Sequence, residues 1–130
     1  MTYMTYTLDQ SKKIIEDKIK RKGFIIYYRK SLSGCVFWDS KKCYIPEIKT
    51  RKSLYIACHE LFHCLRDRKG KVYLDEFKAE RFASRFMRHL GYSVPRSMTA
   101  RAKKYVSWKI EKAQRRGLLK VNQEVKQYLK

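Results

Sequence analysis

The stretch Cys58-His59-Glu60-Leu61-Phe62-His63-Cys64 constrains this chain more than any other. It contains the pattern H-E-x-x-H. On an α-helix His59 and His63 are four residues apart, so their imidazoles leave one face, one turn above the other. Two ring nitrogens so placed suit a single Zn²⁺ at about 2.0–2.1 Å. Glu60 stands too close in sequence to share the metal comfortably, but well placed to take a proton from a metal-bound water. The plainer alternative is a helix whose histidines are ordinary core or surface groups, and the segment that follows weighs against it.

A two-histidine site needs a third protein ligand, expected from a second helix. In the segment from Asp75 to Met87, the residues Glu76, Ala79, Glu80, Ala83 and Met87 share one helical face. Two carboxylates on a stripe of otherwise small residues are odd for a core face. They make sense if the alanines let this helix press close to the histidine helix, with Glu76 reaching the metal. Glu80, one turn on, would then accept a hydrogen bond from the free ring nitrogen of a ligating histidine and fix its tautomer. The competing reading leaves both carboxylates solvated and paired with Arg81 or Arg85. His89 lies thirteen residues after Glu76, about 220° around a continuous helix, and is rejected as a ligand.

The run His59-Glu60-Leu61-Phe62-His63, followed by Glu76-x-x-Ala79-Glu80-x-Phe82-Ala83, resembles the gluzincin side of the zinc metallopeptidases. It is most similar to small intracellular forms, the ImmA/IrrE family and the ArdC-like metallopeptidase domains of phage and plasmid polyvalent proteins. The resemblance spans about Leu54 to Leu90, under a third of the chain. It implies a zincin-like fold, one Zn²⁺ per chain held by His59, His63 and Glu76, Glu60 as general base, and Glu80 as the orienting carboxylate. Only twelve residues (Cys64 to Asp75) separate the second histidine from Glu76, a short connection for this group. Glu76 and Glu80 therefore both stand as candidates for the third ligand.

A chain of 130 residues is expected to form one domain, 1–130, with a single modest core. Hydrophobic content of 44%, with 2 Trp, 10 Tyr and 6 Phe, argues for a folded chain. Lys and Arg number 32 against 12 Asp and Glu, giving +20, more than solubility requires. That excess calls for an anionic partner or environment: nucleic acid, an acidic protein, or a high-salt cytoplasm. There is no apolar run of about 18–20 residues and no basic n-region before one, so neither a membrane partner nor export is expected. A cytoplasmic protein would keep Cys35, Cys43, Cys58 and Cys64 reduced. Paired cysteine spacing for a structural zinc is absent, and Cys58 and Cys64 read as core packing.

The chain order predicts an α+β fold. Thr7 to Gln10 reads as a capping box opening a helix with Leu8, Ile15 and Ile19 inward and Gly23 as its stop. Three β-like runs follow, Phe24–Tyr28, Cys35–Trp38 and Cys43–Ile45, expected as a small antiparallel meander. The last run, just before the metal helix, is the candidate edge for an extended substrate. The metal helix is expected from Arg51 or Leu54 to Arg68 with Gly70 as the break, buried on both sides. The ligand helix is expected from Asp75 to Leu90. A basic helical C-terminal region occupies about 99–130, as a helix over Thr99–Arg116 and a short one from Asn122 to Leu129. Helix, glycine-containing break and helix look superficially like a helix-turn-helix, but the break is long and the second helix short.

These features predict a zinc-dependent peptidase acting on a protein or peptide substrate, with Tyr73 or Tyr92 as candidate oxyanion donor. The alternative is a basic nucleic-acid-binding protein whose zinc site is structural or degenerate. In that reading Lys104, Lys112, Arg115 and Arg116 of the C-terminal helix make non-specific phosphate contacts. A third class is a toxin or inhibitor domain that engages an acidic protein.

Overall fold

The computed structural model describes residues 5–66 and 71–130. Helix α1 (Leu8–Arg21) starts as its capping box dictates: Thr7 Oγ1 accepts from the Gln10 amide at 3.0 Å, and Gln10 Oε1 accepts from the Thr7 amide at 2.9 Å. Ile15 and Ile19 are fully buried, and Gly23, at φ +85°, ends the helix in a conformation that suits a residue without Cβ.

Strands β1 (Ile25–Arg29), β2 (Cys35–Phe37) and β3 (Lys42–Pro46) form one sheet in the order β1-β3-β2. The expected antiparallel meander is corrected here: β1 runs parallel to β3, with Tyr27 opposite Tyr44, and only β2 is antiparallel to it. Residues 30–34 carry the chain across the end of β3 to the far edge, and a tight turn containing Lys41 at φ +56° brings it back. The reason lies in β3 itself. Its inward residues Cys43 and Ile45 are wholly buried, so the strand belongs at the centre of the sheet.

Helix α2 (Arg51–Leu65) is capped reciprocally by Thr50 and Ser53. Its residues from Ser53 to Cys64 are buried apart from His59, which is half-buried. It lies between the sheet, α1 and α3, as the central helix of a site must. It ends at Leu65, short of Arg68; Arg68 and the expected break at Gly70 fall outside the described residues. Helix α3 (Val72–His89) begins three residues ahead of Asp75, and α4 (Arg96–Arg115) begins behind Pro95, whose fixed φ suits a helix start. Helix α5 (Gln123–Leu129) is capped by Asn122.

The larger core joins the inner face of the sheet to α1, α2 and one face of α3. A smaller one, built on Tyr73, Phe77, Val106, Ile110 and Val125, fixes α4 and α5 to α3. No helix among the described residues is long and apolar enough to cross a membrane.

Ala79 and Ala83 are fully buried on the α3 face turned to α2. Ala83→Leu should therefore overpack this contact and destabilise the fold by about 1–3 kcal/mol, measured by urea unfolding. An unchanged midpoint would mean that the two helices are not pressed together through these alanines.

Candidate metal centre

Helices α2 and α3 bring three donor atoms to one point. His59 Nε2 and His63 Nε2 are 3.2 Å apart. Glu76 Oε2 lies 3.0 Å from the first and 3.3 Å from the second. Tetrahedral ligands at about 2.0–2.1 Å from a zinc ion stand about 3.3 Å from one another. The triangle thus has the edge lengths of one face of such a site, and these residues fit the ion. His59, Glu60 and His63 also place ligand-capable atoms within 4.8 Å of one another. The carboxylate of Glu76 is the nearer to both rings.

Glu76 and Glu80 occupy opposite sides of the His59 ring. Glu80 Oε1 sits 2.6 Å from Nδ1. The buried Tyr55 hydroxyl donates to Glu80 Oε2, holding the carboxylate from α2. Both glutamates are buried, which rules out the solvated pairing with Arg81 or Arg85; Arg81 faces Glu124 at 3.7 Å instead. The Trp38 indole N–H donates to the His63 carbonyl oxygen at 2.8 Å, and its ring meets the His63 ring edge-on.

Glu60 points into the same space. Its carboxylate is buried, and Oε2 has no hydrogen-bond partner among the described residues. Burial pushes its carboxyl above the ordinary carboxylate range, partly offset by the neighbouring imidazoles. For Glu76 burial also acts upward, but the contacts from His59 and His63 outweigh it and hold the group well below its usual value. Burial works to lower the His59 imidazole, and Glu76 and Glu80 together hold it well above its ordinary value instead.

A cleft of about 380 Å³ opens over these groups. One wall is Ser33 and Gly34 of the β1–β2 loop with Cys35 and Val36 of β2; the other is α4, through Met98, Arg101, Ala102, Tyr105 and Lys109. Neither expected oxyanion donor is there. Tyr73 is buried in the smaller core, its hydroxyl accepting from the Asn122 amide at 3.0 Å. The Tyr92 hydroxyl donates to the Tyr6 carbonyl oxygen at 2.7 Å, tying the N-terminal segment to the end of α3. Tyr105 lines the cleft in their place, its ring centroid 6.4 Å from that of His59. Arg101, Tyr105 and Lys109 recur every four residues, a spacing that marks one helical face and was readable in the sequence.

The remaining expectations separate cleanly. His89 is exposed at the end of α3, away from the triangle. Lys104, Arg115 and Arg116 are exposed on or just beyond α4, and Lys112 sets its ammonium 3.9 Å over the Trp108 ring. Cys58 and Cys64 are buried free thiols. The substrate edge expected at Cys43–Ile45 is corrected, because β3 is the central strand and the edge beside the cleft is β2. No protein-family model, curated protein or solved structure matches the chain.

Removing the Tyr55 hydroxyl leaves a buried carboxylate short of a donor. Tyr55→Phe is expected to cost about 1–3 kcal/mol, read by thermal or urea unfolding. Equal stability in the two proteins would remove Tyr55 from the support of Glu80.

Proposed function

We propose that this chain is a zinc-dependent peptidase of the gluzincin type. The observation that carries the reading is the triangle of His59 Nε2, His63 Nε2 and Glu76 Oε2, with the unpartnered Glu60 oxygen beside it. Zn²⁺, one per chain, would be held by His59, His63 and Glu76, and when bound supplies a water acidified towards pH 7 and a Lewis acid for the scissile carbonyl. Glu60 accepts the proton of the attacking water and returns it to the leaving amine. Glu80 orients His59 through Nδ1. Tyr105, on the opposite wall, takes the oxyanion role that the sequence offered to Tyr73 or Tyr92. Among the described residues β2 pairs with β3 alone, so its outer edge suits an extended protein or peptide substrate added as a further strand. Four free thiols fit a reducing compartment such as the cytoplasm.

A nucleic-acid-binding protein with a structural metal is the second reading, favoured by the net charge of +20. The buried Glu60 oxygen favours the first, since holding a metal does not require that group.

Metal analysis of the purified protein should find one zinc per chain. His59→Ala and His63→Ala should lose it, Glu76→Ala should lose it less completely, and Glu60→Gln should retain it while peptide hydrolysis stops. Full occupancy in the double histidine variant, or wild-type activity in Glu60→Gln, would overturn the proposal.

Gly34 gives a second handle on the base. A Cβ there would stand 2.5 Å from Glu60 Cγ and 2.9 Å from the Tyr44 carbonyl oxygen, so a methyl group must displace the glutamate or the strand. Gly34→Ala should keep its zinc and lose about 100-fold in hydrolysis. Undiminished activity would show that the Glu60 side chain does not depend on this contact.

A further inference from the structure

The face of the sheet turned away from α1 and α2 is built unlike a solvated surface. From β1 it presents Ile25, Tyr27 and Arg29, from β3 Lys42 and Tyr44, and from β2 Cys35 and Phe37, as strand alternation and the register require. Tyr44 is the hub. Tyr27 stacks beside it with centroids 5.1 Å apart, Phe37 meets it edge-on at 5.8 Å, and the Arg29 guanidinium lies 4.9 Å over its ring. Tyr27 and Phe37 are 40% and 48% exposed. Cross-strand pairing explains why aromatic rings stabilise a small sheet. It does not explain why three adjoin on an open face with cations among them and no acidic residue on that face in any of the three strands.

We infer that this sheet face is a binding surface for single-stranded nucleic acid, with bases stacking on Tyr27 and Phe37 and phosphates held by Arg29 and Lys42. The chemistry selects the partner. Every nucleobase has a π-face, so ring stacking tolerates any sequence, and a positively charged surface follows the backbone. A duplex keeps its base faces inside, so the exposed rings would have nothing to stack on. A protein partner would call for a broader aliphatic surface, and Ile25 is the one aliphatic residue among those seven. The exposed Lys30 and Lys41 flank the platform, and the whole chain carries +20, which complements a polyanion. The inference is independent of the peptidase reading and moves the nucleic-acid surface from α4 to the sheet.

The test is fluorescence anisotropy with a labelled oligothymidylate of about 12 nucleotides and a duplex of equal length, from about 50 to 200 mM salt. The full chain should prefer the single strand. Tyr27→Ala combined with Phe37→Ala should bind it about 10- to 100-fold more weakly with the salt slope unchanged, because stacking involves no counterion release. Tyr27→Phe, which keeps the ring, should bind like the unaltered chain. Photo-cross-linking to a 5-iodouracil-substituted strand should label residues 25–29, 35–37 or 42–44. Unweakened binding by the double alanine variant, equal affinity for duplex and single strand with cross-links on α4, or no binding at low salt would each overturn the inference.

Discussion

Two imidazoles and three carboxylates share one largely buried site, and the surrounding fold is arranged to make that tolerable. Burying an ion costs several kcal/mol even after relaxation. With both histidines neutral, Glu60, Glu76 and Glu80 would place three negative charges in a space largely closed to water. Positive charge has to enter, as protons on the rings or as a dication. Protonating both rings would set two N–H groups against each other across 3.2 Å. A proton on His59 alone, held between Glu76 and Glu80, avoids that conflict, and so does a cation between the two nitrogens and Glu76; only the second uses both ring nitrogens as ligands.

The packing follows from this requirement. The helix carrying His59 and His63 turns polar groups to one side and Leu54, Cys58 and Leu61 to the other, so nearly its whole circumference is covered. Covering the polar side takes a partner helix that can come close while delivering carboxylates, and Ala79 and Ala83 beside Glu76 and Glu80 meet both conditions. Close approach recurs at Gly34, where the β1–β2 loop rests on the Glu60 side chain with no room for a methyl group. The same small-residue logic therefore positions both Glu76 and Glu60.

Much of this was legible because it is local or periodic. The H-E-x-x-H spacing, the shared face of Glu76 and Glu80, and the capping box at Thr7 depend on residues within a few turns of one another. The choice between Glu76 and Glu80 was not legible, since both lie on one stripe and only the helix–helix register decides which meets Nε2 and which Nδ1. Strand order escaped for a related reason. Three successive β-runs suggest a meander, yet the demand that Cys43 and Ile45 be buried puts β3 in the middle and sends β2 to the edge. Tyr73 and Tyr92 were misplaced because a tyrosine near a helix end looks the same whether its hydroxyl serves chemistry or satisfies a backbone group. Tyr105 has the spacing of an inward residue beside Ala102 and Val106. Its neighbours Ala102 and Val106 are indeed buried, but its own ring turns one helical step further, into the cleft.

The two cleft walls are anchored to different halves of the candidate metal centre. On the β2 side, Trp38 donates to the backbone of His63, so that wall is referenced to the histidine helix. On the other side, α4 is held by Val106 and Ile110 against Tyr73 and Phe77 of α3, the helix that supplies Glu76 and Glu80. A direct tie between the walls runs through Arg101 of α4, which donates to the Leu32 carbonyl oxygen at 2.9 Å in the loop that ends on Gly34. That bond is exposed, and a hydrogen bond of this kind contributes only about 0.5–1.5 kcal/mol. The Arg101 bond by itself thus adds little to holding the rim together. At the floor, widening the cleft would pull Glu76 away from His59 and His63, where the groups are buried and separation is expensive. The candidate site is therefore held most firmly at its buried donor atoms.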